Sequence, residues 1–235
     1  MSFEEFQDKW TDQLRKIVDQ LTATLARPKS ADDNRQLRHL VDKVVTHYTD
    51  YYDEKTAVGR SDVLLLFAAP WASALERSLH WVAGFRPTTI FHLMYTESSI
   101  RFESHVADIL RGRRTGDLGE LNPAQLGRVS ELQCQTVKEE NEIGDALGGW
   151  QEAVARAEPE WAGGRPDAVE RLLERLVEVV AKADELRMKT MRLVVEMLTP
   201  QQAAEFIVAM AELQFGIRAW GLHHDRERGA GKVCC

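Results

Sequence analysis

Seven histidines, three cysteines and 37 carboxylates supply the side chains from which a metal or acid–base site is made, so their spacing decides what they can do. His223 and His224 are neighbours. On a helix adjacent side chains diverge by about 100°, so the pair does not close on one ion. Glu76 and His80 stand one helical turn apart, a spacing that reads as a surface contact. Glu139, Glu140 and Glu142 form an acidic run that reads as the solvated face of a helix. Cys134 sits in an apolar-periodic segment without a cationic neighbour to activate its thiol, and reads as a small buried hydrophobe. There is no H-E-x-x-H, no C-x-x-C, no glycine-rich phosphate loop and no G-x-S-x-G elbow. The chain therefore reads as a non-enzyme with no catalytic and no metal site.

Thirty Lys and Arg against 37 Asp and Glu give a net charge of −7, which argues against a general attraction to nucleic acid. The local basic clusters, Arg111-Gly112-Arg113-Arg114 and Arg226-Glu227-Arg228, read as solvated loops. Three cysteines cannot build a disulfide framework, which suits a reducing compartment. Cys234 and Cys235 read as part of a silent tail, with lipidation as the alternative. The acidic, amphipathic opening is not a secretory signal. The longest apolar run, Val63 to Ala72, is broken at Pro70 and falls short of the roughly twenty residues a membrane helix needs.

The elements that must position these residues are helices. Phe3, Phe6, Trp10, Leu14, Ile17 and Leu21 recur at steps of three and four, with Ser2 and Glu5 as a capping box and Pro28 as a stop. A second helix from about Asp32 turns Leu37, Leu40, Val44 and Tyr48 inward. The stretch from Gly59 to Ala69 reads as irregular. A helix is expected from Pro70 to Gly84 along Trp71, Leu75, Leu79 and Val82, and Thr88 is expected to cap the next one. Asn122-Pro123 opens a helix through Leu147, with a break at Gly148-Gly149. Val169 to Met197 is the clearest stripe, and Thr199-Pro200-Gln201-Gln202 ends it and starts the last helix, which carries Phe206, Met210, Leu213, Ile217 and Trp220. The expected fold is all-α, a single multi-helix bundle over 1–225 with a flexible polar tail over 226–235, and Pro159 is the one candidate for a split. Trp71, Trp81 and Trp220 read as core residues, whereas Trp10 reads as the tryptophan that meets a partner.

Four ordered blocks resemble the plant Delay-of-Germination family, the seed dormancy control domain shared with the C-terminal region of TGACG-motif-binding bZIP transcription factors. Phe3, Phe6 and Trp10 resemble its opening F-x-x-F-x-x-x-W. Leu75 to Thr88, with Trp81, Gly84, Arg86 and Pro87, resembles L-E-x-x-x-x-W-x-G-G-x-R-P-[ST], with Ala83 in place of the first Gly. Leu121 to Glu142 resembles the family's L-S-x-x-Q-L helix. Ala183 to Phe206, through Thr199 and Pro200, resembles A-D-x-L-R…L-[ST]-P-x-Q-A-x-x-F.

The resemblance implies a non-enzymatic regulator of seed dormancy and abscisic-acid responses, acting in nucleus and cytosol through protein contacts. It implies a clade A type 2C protein phosphatase as partner, met by the first helix, with Phe3, Phe6 and Trp10 as anchors. Gln7, Asp8 and Lys9 depart from that helix's pattern. An alternative is a transcription-associated domain working through bZIP partners and regulation of DNA-templated transcription. The sequence holds no basic region or leucine zipper, so DNA association is expected to be indirect. A homodimer is left open. A third reading, a haem or acyl-chain binder, rests on the family's pair of histidines one turn apart near the last helix. Those positions are Gln214 and Arg218, neither an ordinary iron ligand, and His223 and His224 lie just beyond, so no cofactor is assigned.

Overall fold

Serine and asparagine side chains start the helices. Ser2 accepts from the Glu5 N–H while the Glu5 carboxylate accepts from the Ser2 N–H, opening α1 over Phe3–Leu25. Ser30 with Asp33 does the same for α2, Ala31–Ser61. Asp62 caps the short α3, Val63–Ala68, and Ser73 with Glu76 opens α4, Ala74–Ser78. α5 spans Thr89–Leu110, followed by a 3-10 turn at Leu118–Glu120. Asn122 with Gln125, and Pro123 in the first turn, open α6, Pro123–Arg156. α7 is Pro166–Met197 and α8 is Pro200–Gly231, the latter entered through reciprocal bonds between Thr199 and Gln202. Each such cap satisfies donors that the first turn leaves open and is worth about 1 kcal/mol. The structure is a computed structural model and describes residues 2–27, 30–157 and 166–231; among these all regular structure is helical. None of these helices is long and apolar enough to cross a membrane.

α1 and α2 lie antiparallel, and α8 packs across both. Leu14, Leu21, Val44, Phe91, Phe206 and Ile207 fill the space between them with essentially no exposure. α6 and α7 form a second antiparallel pair, tied by Trp150 Nε1 donating to Leu172 O at 2.7 Å. A smaller cluster of Phe3, Leu66, Trp71, Leu176 and Ala183 closes the α3 end.

Several local expectations change. The region from Gly59 to Ala69 is helical, not irregular: α2 runs to Ser61 and α3 begins two residues later. Gly59 allows this, because a Cβ there would meet Leu66 Cδ1 at 2.9 Å. α6 passes through Gly148-Gly149 without a break, since packing on α7 outweighs a glycine cost of about 1 kcal/mol per residue. α8 continues to Gly231, past the expected boundary at 226, while Cys234, Cys235 and the Pro159 split fall outside the described residues. Trp220 and Cys134 are exposed rather than buried.

The helix expected from Pro70 to Gly84 shrinks to α4 alone, because Val82 and Ala83 take left-handed backbone, φ 47° and 57°. A left-handed residue with a Cβ costs roughly 1–2 kcal/mol, and Gly would remove that strain while adding entropy to the unfolded chain. Ala83→Gly is expected to stabilise by about 0.5 kcal/mol, a rise in thermal midpoint of about 1–2 °C. A fall in the midpoint would show that the Ala83 methyl contributes more by packing than its backbone costs.

Candidate functional site

The left-handed turn is held from inside. Lys55 Nζ donates to Ala83 O at 2.7 Å and to Asp184 Oδ1 at 2.8 Å. Arg187 donates to Phe85 O at 2.7 Å, Val82 O at 3.0 Å, Trp81 O and Asp184. All three charged side chains are buried. Two cations thus gather four carbonyls that would otherwise continue a helix, and one carboxylate neutralises part of their charge. Gly84 lies against this group, where a Cβ would meet the Arg187 guanidinium at 3.0 Å. Trp81, half-buried, rests its ring on the Arg86 and Arg187 guanidinium groups.

The next residues are held by α6. Glu140, 2% exposed, accepts from Arg86 Nε and from the Thr88 N–H, both at 2.7 Å, and from Thr88 Oγ1 at 3.2 Å. Glu140 is therefore a buried anchor, not part of a solvated acidic run. Thr88 precedes α5 but makes no side-chain cap bond, since its hydroxyl points to Glu140. Pro87 is buried beside it.

These anchors were visible as register. Val129, Leu132, Thr136, Glu140 and Ile143 step by three and four along the buried face of α6. Tyr48, Lys55 and Gly59 share one face of α2. Polar residues in an apolar register mark buried bonding partners, but a sequence search by residue type passes over them.

Titration of the buried groups sets an alkaline profile. Burial drives Lys55 down to about 8, with Asp184 partly offsetting it. Between that value and its ordinary one near 10.5, the unfolded chain binds more protons, so this term raises stability as pH climbs. Burial pushes Tyr48, Tyr51 and Tyr52 above 10, so their contribution is complete below pH 10 and lost above it. Thermal midpoints measured against pH should rise slightly from about 8 to 10 and then fall steeply. A flat profile above pH 10 would mean that water reaches these phenols.

On α1 the structure moves the expected anchors indoors. Trp10, 3% exposed, donates Nε1 to His47 O at 2.9 Å, and His47 Nε2 donates back to Trp10 O at 2.9 Å with the rings parallel. Phe3 is buried edge-on against Trp71, and Phe6 is half-buried between Phe3 and Tyr51. Aromatic side chains at this spacing lock α1 to α2, so Phe3 and Trp10 are covered by the fold. The outward face of α1 carries Glu4, Glu5, Asp8 and Asp12, with Lys9, Arg15 and Lys16 also exposed, so its first turns are acidic on balance.

A cavity of about 260 Å³ opens between α2, the start of α5, α7 and α8. Tyr48, Ile90, Met188, Met191, Met210 and Gln214 line it. The two expected haem positions do not fit iron. Gln214 Oε1 accepts from Tyr48 OH at 2.8 Å, and Arg218 is held by Asp8 at 2.9 Å and Trp71 O at 3.2 Å. His223 lies beside Glu227 and His224 stacks on Trp220 at 5.1 Å, both directed away from each other on the helix. Glu76 and His80 do not pair: Glu76 caps Ser73, and His80 packs edge-on against Phe85. Arg111 and Arg113 share Asp108, and Arg114 pairs with Glu120.

Residues 12–96 match the family model described as "DOG1: Seed dormancy control". Protein DOG1-like 4 of Arabidopsis thaliana is 32% identical over 231 residues, covering 93% of this chain and 91% of that protein. Protein RESPONSE TO ABA AND SALT 1 of the same plant is 29% identical over 249 residues, 97% and 96% of the two chains. Transcription factor TGAL7 of Oryza sativa subsp. japonica is 26% identical over 218 residues, which is 90% of this chain but 42% of that protein.

Proposed function

This chain belongs to the seed dormancy control (DOG1) family, and from that premise we propose that it is a non-enzymatic regulator of the dormancy and abscisic-acid response type that works by holding another protein. One observation carries the reading: the buried charges Lys55, Asp184, Arg187 and Glu140 are bonded to backbone and to each other, so they build a surface instead of a reaction centre.

The partner we favour is a clade A type 2C protein phosphatase docked on α1. With Phe3 and Trp10 in the core, contact falls to the acidic outer face. Glu4→Lys with Asp12→Lys, a pair that leaves the Ser2–Glu5 cap intact, is expected to weaken phosphatase binding about tenfold or more and reverse its salt dependence. Unchanged affinity in the folded double variant would overturn the α1 docking site. Nucleus and cytosol are the matching compartments, with residues 1–225 as the working unit.

A second reading is favoured by the similarity to TGAL7 over 90% of this chain. It is a transcription-associated role through a bZIP partner. Recovery of this protein with a bZIP factor on TGACG-containing DNA supports it, and recovery on the same DNA without the factor counts against the indirect mode.

A further inference from the structure

We propose that the groove between the end of α6 and the first turns of α7 is a binding site for a compact polyphosphate, a small carrier bearing several phosphate groups. The inference does not depend on the choice of protein partner. The groove holds about 590 Å³. Gly149 and Ala153 on α6 form a low wall, and Arg156, Arg171 and Arg175 line the same space. Among the described residues no Asp or Glu lines it, in a chain whose net charge is −7. Leu172, between the two α7 arginines, is buried, and its carbonyl accepts from Trp150 Nε1 at 2.7 Å. That bond ties the two helices at this level, so the arginines are carried on a fixed frame.

Arg156 closes on Glu152, one turn earlier, at 2.6 Å. Arg171 and Arg175 are different. Both are exposed, stand one turn apart, and make no hydrogen bond or ion pair among the described residues. Acids were within reach: Glu174 and Glu178 each lie three residues further on, the spacing at which charges on a helix pair. Like charges at i, i+4 repel, so two unpaired guanidiniums beside a third are a local cost that an anion between them removes. Each guanidinium is a flat fork of donors that fits phosphate oxygens two at a time. Forks about 5.4 Å apart along α7 each take their own phosphate group, which selects a polyphosphate over a single phosphate ion.

Size and surroundings set the carrier. About 590 Å³ corresponds to about twenty water volumes, room for about three phosphate groups with their bridging atoms. Glu170, Glu174 and Glu178, beside the arginines on α7, are exposed. A long polyanion such as nucleic acid needs a continuous basic track and would run into these carboxylates. A compact one stays among the arginines. Tripolyphosphate is the matching probe.

The test is calorimetric titration of the full chain with tripolyphosphate at low ionic strength. Inorganic phosphate, ATP, inositol hexakisphosphate and a twenty-nucleotide oligothymidylate are titrated alongside. Saturable one-to-one binding of tripolyphosphate is expected, about a hundredfold tighter than inorganic phosphate and weakening with added salt. ATP binding above tripolyphosphate assigns a nucleoside carrier, and inositol hexakisphosphate above both assigns a polyol carrier. Arg171→Gln and Arg175→Gln are each expected to weaken binding about tenfold. Arg38→Gln, the same charge change at an exposed arginine of α2, is expected to leave it unchanged. Gly149→Glu places a carboxylate in the groove, where a Cβ meets nothing within 4 Å, and it favours the helix. This variant is expected to lose binding while its thermal midpoint rises by about 1–2 °C. The proposal falls if tripolyphosphate fails to saturate, if Arg38→Gln weakens it as much as Arg171→Gln, or if binding survives in Gly149→Glu. Tighter binding of the oligothymidylate than of tripolyphosphate also overturns it, in favour of a nucleic-acid surface.

Discussion

Asp184→Ala is expected to destabilise the protein by about 3–5 kcal/mol, the cost of leaving buried charge without its counter-ion. Lys55 and Arg187 would both remain inside, each still bound to carbonyls of the 81–85 turn, with no carboxylate between them. Repulsion between the cations then acts at low dielectric and works against the bonds that hold the left-handed Val82 and Ala83. Lys55→Met is expected to cost less, about 1–2 kcal/mol, because a lysine already driven down to about 8 loses little by losing its charge. Urea unfolding of both variants measures the difference. A loss below about 1 kcal/mol for Asp184→Ala would show that water replaces the carboxylate.

Glu140→Ala is expected to cost about 1–3 kcal/mol, through the partly buried Thr88 N–H and hydroxyl left without their acceptor. Arg86, half-exposed, finds water and adds little. Glu140→Gln keeps an acceptor of the same shape and should recover about half of the loss. Because Glu140 also positions Arg86, the alanine variant should loosen the corner where α5 begins, read as faster amide exchange over residues 86–91. Protection there equal to the unaltered protein would place the anchor elsewhere, with Pro87 packing as the alternative hold.

Much of this was legible along the chain. The stripe of Leu14, Ile17 and Leu21, the cap at Ser2 with Glu5, and the start at Asn122-Pro123 are local features: neighbours within four residues determine them, so periodicity and cap chemistry suffice to read an all-α fold. The same local logic misplaced three things for a common reason. It extended a helix through Val82 and Ala83, placed Trp10 outside, and left Glu140 in solvent.

Each of those outcomes depends on a group far away in sequence. The turn at 81–85 breaks because Lys55 and Arg187, 28 to 106 residues distant, take its carbonyls. Trp10 is inside because His47 on the next helix meets both its ring and its backbone. Residue type and spacing determined the helices and the family to which they belong. The tertiary structure alone decided which charges are buried, which aromatic rings are covered and where a cavity opens, because a charge enters the interior only where distant elements bring its partners together.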